Sequence, residues 1–340
     1  MLATSDSNLS FSVISAPLIQ RWLDDNASSL LDIIASAYQL HADDRVVNPD
    51  SYFLRFPTQP QNRIIALPAS IEGEEGVAGI KWISSFPDNI EQGKNRASAV
   101  IIVNDRQTGY PRACLEGSLI SAARTAASAV LGASYLHLTP GKCRHLVIVG
   151  SGPIAFNTLT IMLQLNWDIA KITVVDKNLS RAEAFAQQCE HNNMDATEQN
   201  QVIADADMVL FATSAIEPYI SDAELFANNP TVLHLSLRDI APDIILDSQN
   251  IADDVDHVLK ANTSVHKAQL QVGHKTFMAG GIVDLISGSV QPDPDKPRIF
   301  SPFGMGCLDL AVAERILRDC DGAESLQCHD FFPPAHGNKA

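Results

Sequence analysis

The sequence predicts an α/β protein with two domains: a central domain built on a parallel sheet, and a discontinuous α+β domain formed by both ends of the chain. Two short apolar strands, Leu146–Val149 and Ile172–Val175, predict the parallel sheet, because strands covered by helices on both faces have no polar face. Three earlier strands separated by turns, Arg63–Leu67, Gly79–Ile83 and Ala99–Asn104, predict an antiparallel or mixed sheet. A chain of 340 residues is long enough for both domains.

We place the discontinuous domain at residues 1–122 and 307–340, and the parallel-sheet domain at residues 123–306. The last predicted helix, Leu308–Arg318, has apolar positions that can pack on the first domain or on a second subunit. Ligand sites commonly form between domains, so we expect the active site in the cleft between these two.

A glycine-rich turn follows the first apolar strand. Gly150, Gly152 and Ala155 form the pattern G-x-G-x-x-A. In this pattern the first glycine permits a tight turn, the second lets a pyrophosphate approach the backbone, and the alanine lets the following helix pack closely. Free N–H groups at the start of that helix can bind phosphate oxygens. The candidate cofactor contacts in this turn are Gly150, Ser151, Gly152, Pro153 and Ile154.

Asp176 ends the second apolar strand and indicates which dinucleotide is bound. An acid at this position hydrogen-bonds the ribose hydroxyls and repels a 2′-phosphate, which favours NAD over NADP. Two alternatives remain, namely FAD or a tight turn without a cofactor. FAD enzymes usually carry the turn near the N-terminus, whereas Gly150 lies far along the chain. We therefore predict a Rossmann domain that binds NAD.

Polar residues follow two later strands and are expected at the same sheet edge. The strands are Met208–Ala212 and Thr231–Leu237, and their carboxyl ends should lie beside the nicotinamide ribose. Asp239 is therefore a candidate catalytic acid or base. Asp243 is the competing acid, although an acid is also common at a helix N-terminus. The further candidate cofactor contacts are Thr125, Thr213, Ser214, Ser236 and Gly304.

Cationic residues interrupt apolar stretches ahead of the glycine-rich turn. Lys81 lies between Ile80 and Trp82, so strand alternation points its side chain away from theirs. Arg124 lies within a helix of small residues, Ser118–Leu138. Each cation alone suits a solvated surface, but a cluster is typical of a carboxylate-binding pocket. The candidate substrate-binding residues are Arg55, Arg63, Lys81, Arg96 and Arg124. We expect burial and neighbouring cations to favour the uncharged amine of Lys81, which would suit it to proton transfer.

Composition restricts the class of protein. The net charge of −16 argues against nucleic acid and anionic membranes as partners. No apolar run reaches about 18 residues, so no transmembrane helix is expected. The N-terminus lacks the pattern of a signal peptide. The six cysteines have no C-x-x-C spacing, so we expect free thiols, no metal site and a cytoplasmic protein.

Other local patterns predict a strand at Phe11–Ile14 within an otherwise looped N-terminus, and a helix over Asn26–His41. Farther along the chain, His257–Lys260 is predicted as a strand and Ser264–Leu270 as a helix.

Four motifs occur in the order typical of one family. They are G-I-K-W-I around Lys81, S-L-I-S-A-A-R-T-A-A-S-A-V around Arg124, G-S-G-P-I-A at the turn, and S-P-F-G-M-G-C-L-D near the C-terminus. Over nearly its whole length the chain resembles the ornithine cyclodeaminase/μ-crystallin family of NAD(P)-binding proteins. The resemblance implies a homodimer formed through the β domain, carboxylate-binding cations at Arg55, Lys81 and Arg124, and a catalytic acid at Asp239.

Within the family, the stretches R-I-I-A-L-P-A, G-Y-P-R-A and L-E-G-S-L-I-S resemble one branch. That branch uses NAD to cleave N-(2-amino-2-carboxyethyl)-L-glutamate oxidatively, giving L-2,3-diaminopropionate for siderophore biosynthesis. The resemblance implies an amino-acid substrate with several carboxylates. Cyclodeaminases carry a glutamate where this chain has Ile65, which argues against ornithine cyclisation. The alternatives are an ornithine cyclodeaminase, a related amino-acid dehydrogenase or imine reductase, and a non-catalytic nucleotide-binding protein.

Overall fold

The structure is a computed structural model that describes residues 10–73, 76–189, 191–320 and 324–333. The helices are α1 (Ala16–Asp25), α2 (Ala27–Ala42), α3 (Gly117–Leu136), α4 (Pro153–Gln164), α5 (Leu179–Gln188), α6 (Pro242–Asp247), α7 (Val255–Val258), α8 (Ser264–Val272), α9 (Ile282–Ser287) and α10 (Gly306–Asp319). Short 3₁₀ helices cover Pro87–Gln92, Asn200–Asp205 and Ala223–Phe226.

The strands are β1 (Phe11–Ile14), β2 (Val46–Val47), β3 (Tyr52–Phe56), β4 (Gln59–Ile71), β5 (Val77–Ser85), β6 (Ala97–Asn104), β7 (Pro111–Glu116), β8 (Lys142–Cys143), β9 (Leu146–Val149), β10 (Asp168–Ile169), β11 (Ile172–Val175), β12 (Met194–Thr197), β13 (Met208–Phe211), β14 (Thr231–His234), β15 (Gln249–Ala252), β16 (Met278–Gly281), β17 (Arg298–Ser301) and β18 (Leu326–Cys328).

The chain divides into two compact units. Unit 1 contains Met1–Asn26, Leu40–Ser121 and Met305–Ala340, and unit 2 contains Ala27–Gln39 and Ala122–Gly304. The division differs from our predicted boundaries chiefly at residues 27–39, which group with unit 2. The physical reason is packing within that unit, where the buried Tyr38 of α2 hydrogen-bonds Ser128 of α3 at 2.5 Å.

Unit 2 is built on a wholly parallel sheet with the strand order β12-β11-β9-β13-β14-β17-β15-β16. Numbered from β9, its first part has the order 3-2-1-4-5 of a doubly wound dinucleotide-binding sheet. All four residues of β9, β11, β13 and β14 are buried, as their apolar runs predict. The order in which successive strands are added reverses between β9 and β13, which makes the carboxyl ends of these strands the expected ligand edge.

Unit 1 is built on a mixed sheet with the order β18-β1-β7-β6-β5-β4-β2, and β3 pairs with the free part of β4. The pairings among β2 to β7 are antiparallel, as is that of β1 with β18, whereas β1 and β7 pair in parallel. Helix α10 packs across β4, β5 and β6. The predicted class, an α/β protein with a parallel nucleotide-binding sheet and a discontinuous α+β domain, is confirmed.

Two local predictions are wrong. The predicted N-terminal loop contains α1, which begins at Ala16 with Pro17 in its first turn and buries Leu18, Ile19, Trp22 and Leu23. The predicted strand at His257–Lys260 is instead α7, because the Asp254 side chain accepts a hydrogen bond from the backbone N–H of His257 and so caps a helical turn.

Helix α3 has the length and composition of a membrane span, and it is the one such helix in the described part of the chain. Buried positions make up 61% of that stretch, as expected of a helix in the core of a globular protein.

Candidate active site

The glycine-rich turn leads directly from β9 into α4. Gly150 has a φ of 99°, and a Cβ atom there would lie 2.5 Å from the carbonyl oxygen of Ala212, so only glycine suits this position. Gly152 precedes Pro153 at the N-terminus of α4, and a Cβ at Gly152 would meet no atom within 4 Å. The backbone is therefore open where a phosphate must approach, and the turn fits the pyrophosphate of a dinucleotide.

Asp176 lies beside this turn because β11 pairs with β9. Its Oδ2 accepts hydrogen bonds from the Ser151 backbone N–H at 3.1 Å and the Ser151 hydroxyl at 2.6 Å. Partial burial acts to raise the pKa of Asp176, but hydrogen bonds from Ser151 and Asn178 outweigh it and lower the pKa. The acid is thus ionised and placed at the edge where a ribose is recognised.

Asp239 lies at the predicted edge but is wholly enclosed. It has no exposed surface, and its carboxylate accepts hydrogen bonds from the hydroxyls of Thr213 and Ser236. His234 Nε2 lies 3.2 Å from Asp239 Oδ2. Burial acts to raise the pKa of Asp239, but the hydrogen bonds from His234, Ser236 and Thr213 hold it below its ordinary value. Asp239 therefore joins the loops that follow β13 and β14.

The turn at Phe303 and Gly304 is held by Asp253, an acid that we did not predict from the sequence as a site residue. Asp253, directly after β15, accepts hydrogen bonds from the backbone N–H groups of Phe303 at 2.8 Å and Gly304 at 2.7 Å. Burial raises the pKa of Asp253 in spite of these bonds. Gly304 has a φ of 91°, and a Cβ there would lie 2.8 Å from Nη1 of Arg124. The predicted contacts Arg124 and Gly304 therefore adjoin each other within unit 2.

Lys81 occupies the buried face of the unit 1 sheet, as strand alternation predicts. The residue is 2% exposed, whereas its neighbour Trp82 is 41% exposed. Its Nζ donates hydrogen bonds to Asp309 Oδ2 at 2.6 Å and to Ser121 Oγ at 3.0 Å. The charged group that Lys81 contacts in these hydrogen bonds is thus the carboxylate of Asp309. We expected neighbouring cations, which would favour the uncharged amine, so the structure corrects that expectation.

Two of the predicted arginines share the sheet face of Lys81. Arg55 pairs directly with Arg63 across β3 and β4, and Arg63 pairs with Ser85 on β5. Ser85 is four residues from Lys81 on the same strand, so the arginine pair is offset from the lysine by about 13 Å along the strand direction. Two cations directly opposite each other on neighbouring strands are close enough to bind one anionic group together.

Two other predicted positions, Ile65 and Arg96, differ in whether they lie on this cationic face. Ile65 pairs with Phe53 and Ile83, so it lies on the same face between the arginines and Lys81. Ile65, the residue that argues against ornithine cyclisation in the resemblance described above, is therefore an apolar position beside the cations. Arg96 precedes β6 and is half-buried, and the sheet register does not assign its side chain to this face.

Some of these contacts were not predictable from the sequence pattern. Asp309 and Ser121 lie far along the chain from Lys81, and Asp253 lies far from Gly304. The one signal for Asp309 was an acid inside an apolar helix face, in the motif G-M-G-C-L-D.

The backbone is unusual just before Asp239. Leu237 has a φ of 65°, which is an uncommon conformation for a leucine, and it precedes Arg238 and Asp239 at the expected ligand edge. In the described residues no group of His, Cys, Asp or Glu side chains is suited to hold a metal ion.

Comparison with known proteins finds relatives over most of the chain. The family model described as "Ornithine cyclodeaminase/mu-crystallin family" matches residues 24–323. The chain is 30% identical to N-((2S)-2-amino-2-carboxyethyl)-L-glutamate dehydrogenase of Staphylococcus aureus over 298 residues, which cover 83% of this chain and 87% of that protein.

Two solved structures share the fold. Delta(1)-pyrroline-2-carboxylate reductase of Thermococcus litoralis, in complex with NADH and L-proline, has a TM-score of 0.82 at 18% identity and covers 90% of this chain and 96% of its own. An archaeal alanine dehydrogenase dimer with bound NAD has a TM-score of 0.77 at 20% identity and covers 91% of this chain and 95% of its own.

Proposed function

This protein belongs to the ornithine cyclodeaminase/mu-crystallin family, and we propose that it uses NAD to cleave N-(2-amino-2-carboxyethyl)-L-glutamate oxidatively. The observation that carries the proposal is the face of the unit 1 sheet on which Arg55, Arg63 and Lys81 lie together, with Ile65 between them. Cations at backbone positions offset by about 13 Å along the strands suit a substrate whose carboxylates are several bonds apart. The S. aureus relative, which is named for this substrate, supports the choice.

The residues that would hold NAD are those of the glycine-rich turn, with Asp176 beside them. Gly152 leaves room for the pyrophosphate, and Asp176 suits the ribose hydroxyls. Thr213, Ser214, Ser236 and Gly304, at the carboxyl ends of the strands, complete the proposed set, together with Thr125. When bound, NAD supplies the acceptor for a hydride from the glutamate Cα of the substrate.

The residues of the chain bind the substrate and move its protons. Arg55, Arg63, Arg96 and Arg124 hold carboxylates, while Lys81 and Asp239 are the candidates for proton transfer. Oxidation of the secondary amine gives an imine, water adds to its carbon, and the carbon–nitrogen bond breaks. In sum, substrate, NAD and water give L-2,3-diaminopropionate, 2-oxoglutarate, NADH and one proton.

A spectrophotometric assay at 340 nm tests the proposal. The purified full-length protein should form NADH with NAD and N-(2-amino-2-carboxyethyl)-L-glutamate, and not with ornithine. Ornithine supplies the control, because a cyclodeaminase releases ammonia from it without net NADH. Ammonia from ornithine, or no NADH from the proposed substrate, would contradict the proposal. We propose further that the L-2,3-diaminopropionate serves siderophore biosynthesis, as in the family branch that this chain resembles. We also propose that the protein is located in the cytoplasm.

We also propose that the protein is a homodimer formed through the outer face of the unit 1 sheet. Tyr52, Ala66, Trp82 and Val100 form one cross-strand row on the face opposite Lys81. Tyr52 is 72% exposed and Trp82 is 41% exposed, and an exposed apolar row favours contact with another protein surface. The dimeric archaeal alanine dehydrogenase supports this reading. Light scattering should give twice the mass of one chain, and Trp82→Glu should lower it to that of one chain.

A further inference from the structure

Helix α10 places the carboxylate of Asp309 against the buried face of the unit 1 sheet. Asp309 has no exposed surface, and its Oδ2 lies 2.6 Å from Nζ of Lys81. Close packing fixes the distance. A Cβ added at Gly79, on the same strand face as Lys81, would lie 3.2 Å from Leu310 Cδ2, and one added at Gly306 would lie 3.1 Å from the Leu67 carbonyl oxygen. The two glycines therefore let α10 lie close against β4 and β5.

The neighbours of Lys81 in the sheet and on the packed helices differ from Asp309 in charge or in partner. Its cross-strand neighbours are Leu67 and Ile101, which carry no charge. Ser121 of α3 supplies a neutral hydroxyl. Farther along α10, Glu314 forms ion pairs with Arg112 and Arg318 rather than with Lys81. The cations Arg55 and Arg63 share the sheet face but are offset by about 13 Å along the strand direction.

We propose that Asp309 is a positioning residue that keeps Lys81 in its charged ammonium form and directs that ammonium toward the substrate. A buried amine without a counter-charge tends to lose its proton, whereas a carboxylate within hydrogen-bond distance stabilises the cation. Lys81 then serves as a fixed cation and proton donor, and not as the base. The catalytic role of the Lys81 ammonium rests on the proposed function. The charge state of Lys81 does not.

The consequence concerns the last step of the proposed reaction. After water has added to the imine, the carbon–nitrogen bond breaks and its electron pair stays on nitrogen, which must gain a proton as the hydroxyl on carbon loses one. The ammonium of Lys81 donates that proton to the leaving nitrogen and is reprotonated from water. Asp309 stays ionised throughout and never contacts the substrate.

The charge state of Lys81 can be measured without any turnover. Lysine labelled with ¹³C at Cε gives separate NMR signals, and the Lys81 signal is identified by its loss in Lys81→Arg. In the wild-type protein the signal should report an ammonium throughout the range of about pH 6 to 9. A neutral Lys81 within that range would overturn the proposal. Failure of the NADH assay would not affect this measurement, so the two proposals fail separately.

The variant Asp309→Asn tests the positioning role. It should lower kcat/KM by roughly 100-fold, with most of the loss in kcat, because removal of one partner of a buried charge pair is costly. It should also add an ionisation to the pH profile of kcat/KM and let the Lys81 NMR signal titrate. Asp309→Glu restores the charge and should recover part of the activity with the wild-type profile.

Glu314→Gln is the matched control, since it removes a buried carboxylate from the same helix and breaks ion pairs that do not involve Lys81. It should lower the melting temperature and leave the pH profile unchanged. If Asp309→Asn behaves in the same way, with an unchanged profile and an unchanged Lys81 signal, then Asp309 only stabilises the fold and the proposal is wrong. If Asp309→Asn does not fold, the wild-type NMR measurement still decides.

Discussion

The two units of this protein differ in how their sequences specify a site. In unit 2 the proposed cofactor site is made by the backbone, through the open approach at Gly152 and the tight turn at Gly150. In unit 1 the proposed substrate site is made by side chains, through Lys81, Asp309 and the paired arginines. A backbone site is visible in a short local pattern. A side-chain site depends on strand register and on which helix covers the sheet, so the partners of its residues come from distant parts of the chain.

The largest effect is expected from Lys81→Met, which should affect turnover through unit 1 and leave NAD binding by unit 2 intact. Lys81→Met should lower kcat/KM by about 10³-fold, since it removes the proton donor and a carboxylate-binding cation. The dissociation constant of NAD should change by less than about twofold, because the NAD contacts proposed here belong to unit 2. Fluorescence titration with NADH and the 340 nm assay measure the two quantities.

Lys81→Met also leaves Asp309 as a buried charge without its lysine, so stability needs its own control. The double variant Lys81→Met/Asp309→Asn removes that charge and should regain thermal stability without regaining activity. A loss of NADH affinity in this stable double variant would mean that Lys81 belongs to the cofactor site, contrary to our assignment.

Two glycine substitutions test the backbone site, and they should have opposite consequences. Gly150→Ala should reduce the free energy of unfolding by about 2 kcal/mol, because its φ is positive and the new Cβ would meet the Ala212 carbonyl oxygen. Gly152→Ala should leave stability within about 0.5 kcal/mol, since its Cβ would enter open space. It should nevertheless weaken NAD binding about tenfold by obstructing the pyrophosphate.

Chemical denaturation and NADH titration of both variants check this pair. Equal NADH affinities for the wild type and a folded Gly152→Ala protein would show that the phosphates do not approach this turn.

The selectivity between NAD and NADP depends on Asp176. Asp176→Ala should shift the ratio of NADP-linked to NAD-linked kcat/KM by about tenfold toward NADP, because it removes the charge that repels a 2′-phosphate. Ser151→Ala is the control: it removes one hydrogen bond to Asp176 and keeps the charge. A wild-type ratio in Asp176→Ala would place the adenosine ribose elsewhere.

Arg63 tests the cationic face of unit 1. Arg63→Gln should raise KM for N-(2-amino-2-carboxyethyl)-L-glutamate about tenfold and change kcat by less than about twofold. Arg96→Gln provides the comparison and should raise KM less, since the register does not assign Arg96 to this face. An equal KM for wild type and Arg63→Gln would remove the arginine pair from the substrate site.

The smallest expected effect is a pH dependence of stability at Asp239. Its pKa is lower in the folded protein than in the unfolded chain, so its contribution is fully present above about pH 4 and is lost as the pH falls through the folded-state pKa. Asp239→Asn should thus cost about 1 kcal/mol at neutral pH and less under acidic conditions. A constant difference between the two proteins across this range, measured by urea unfolding, would contradict the assigned ionisation.

The sequence predicted the family and most of the elements around the site, because these depend on local patterns. The apolar strands Leu146–Val149 and Ile172–Val175 agree with the structure to the residue. The charge environment of Lys81 was predicted wrongly. Strand alternation showed that its side chain faces inward, but only the packing of α10 on the sheet reveals that Asp309 meets it. The predicted cofactor, NAD, agrees with the NADH and NAD bound in two structural relatives.

The most direct test of the proposed reaction is its stoichiometry. With N-(2-amino-2-carboxyethyl)-L-glutamate and excess NAD, the full-length protein should form one NADH for each 2-oxoglutarate and each L-2,3-diaminopropionate, measured by absorbance at 340 nm and by mass spectrometry of the same sample. Either product appearing without an equal amount of NADH, or NADH appearing while the carbon–nitrogen bond stays intact, would contradict oxidative cleavage.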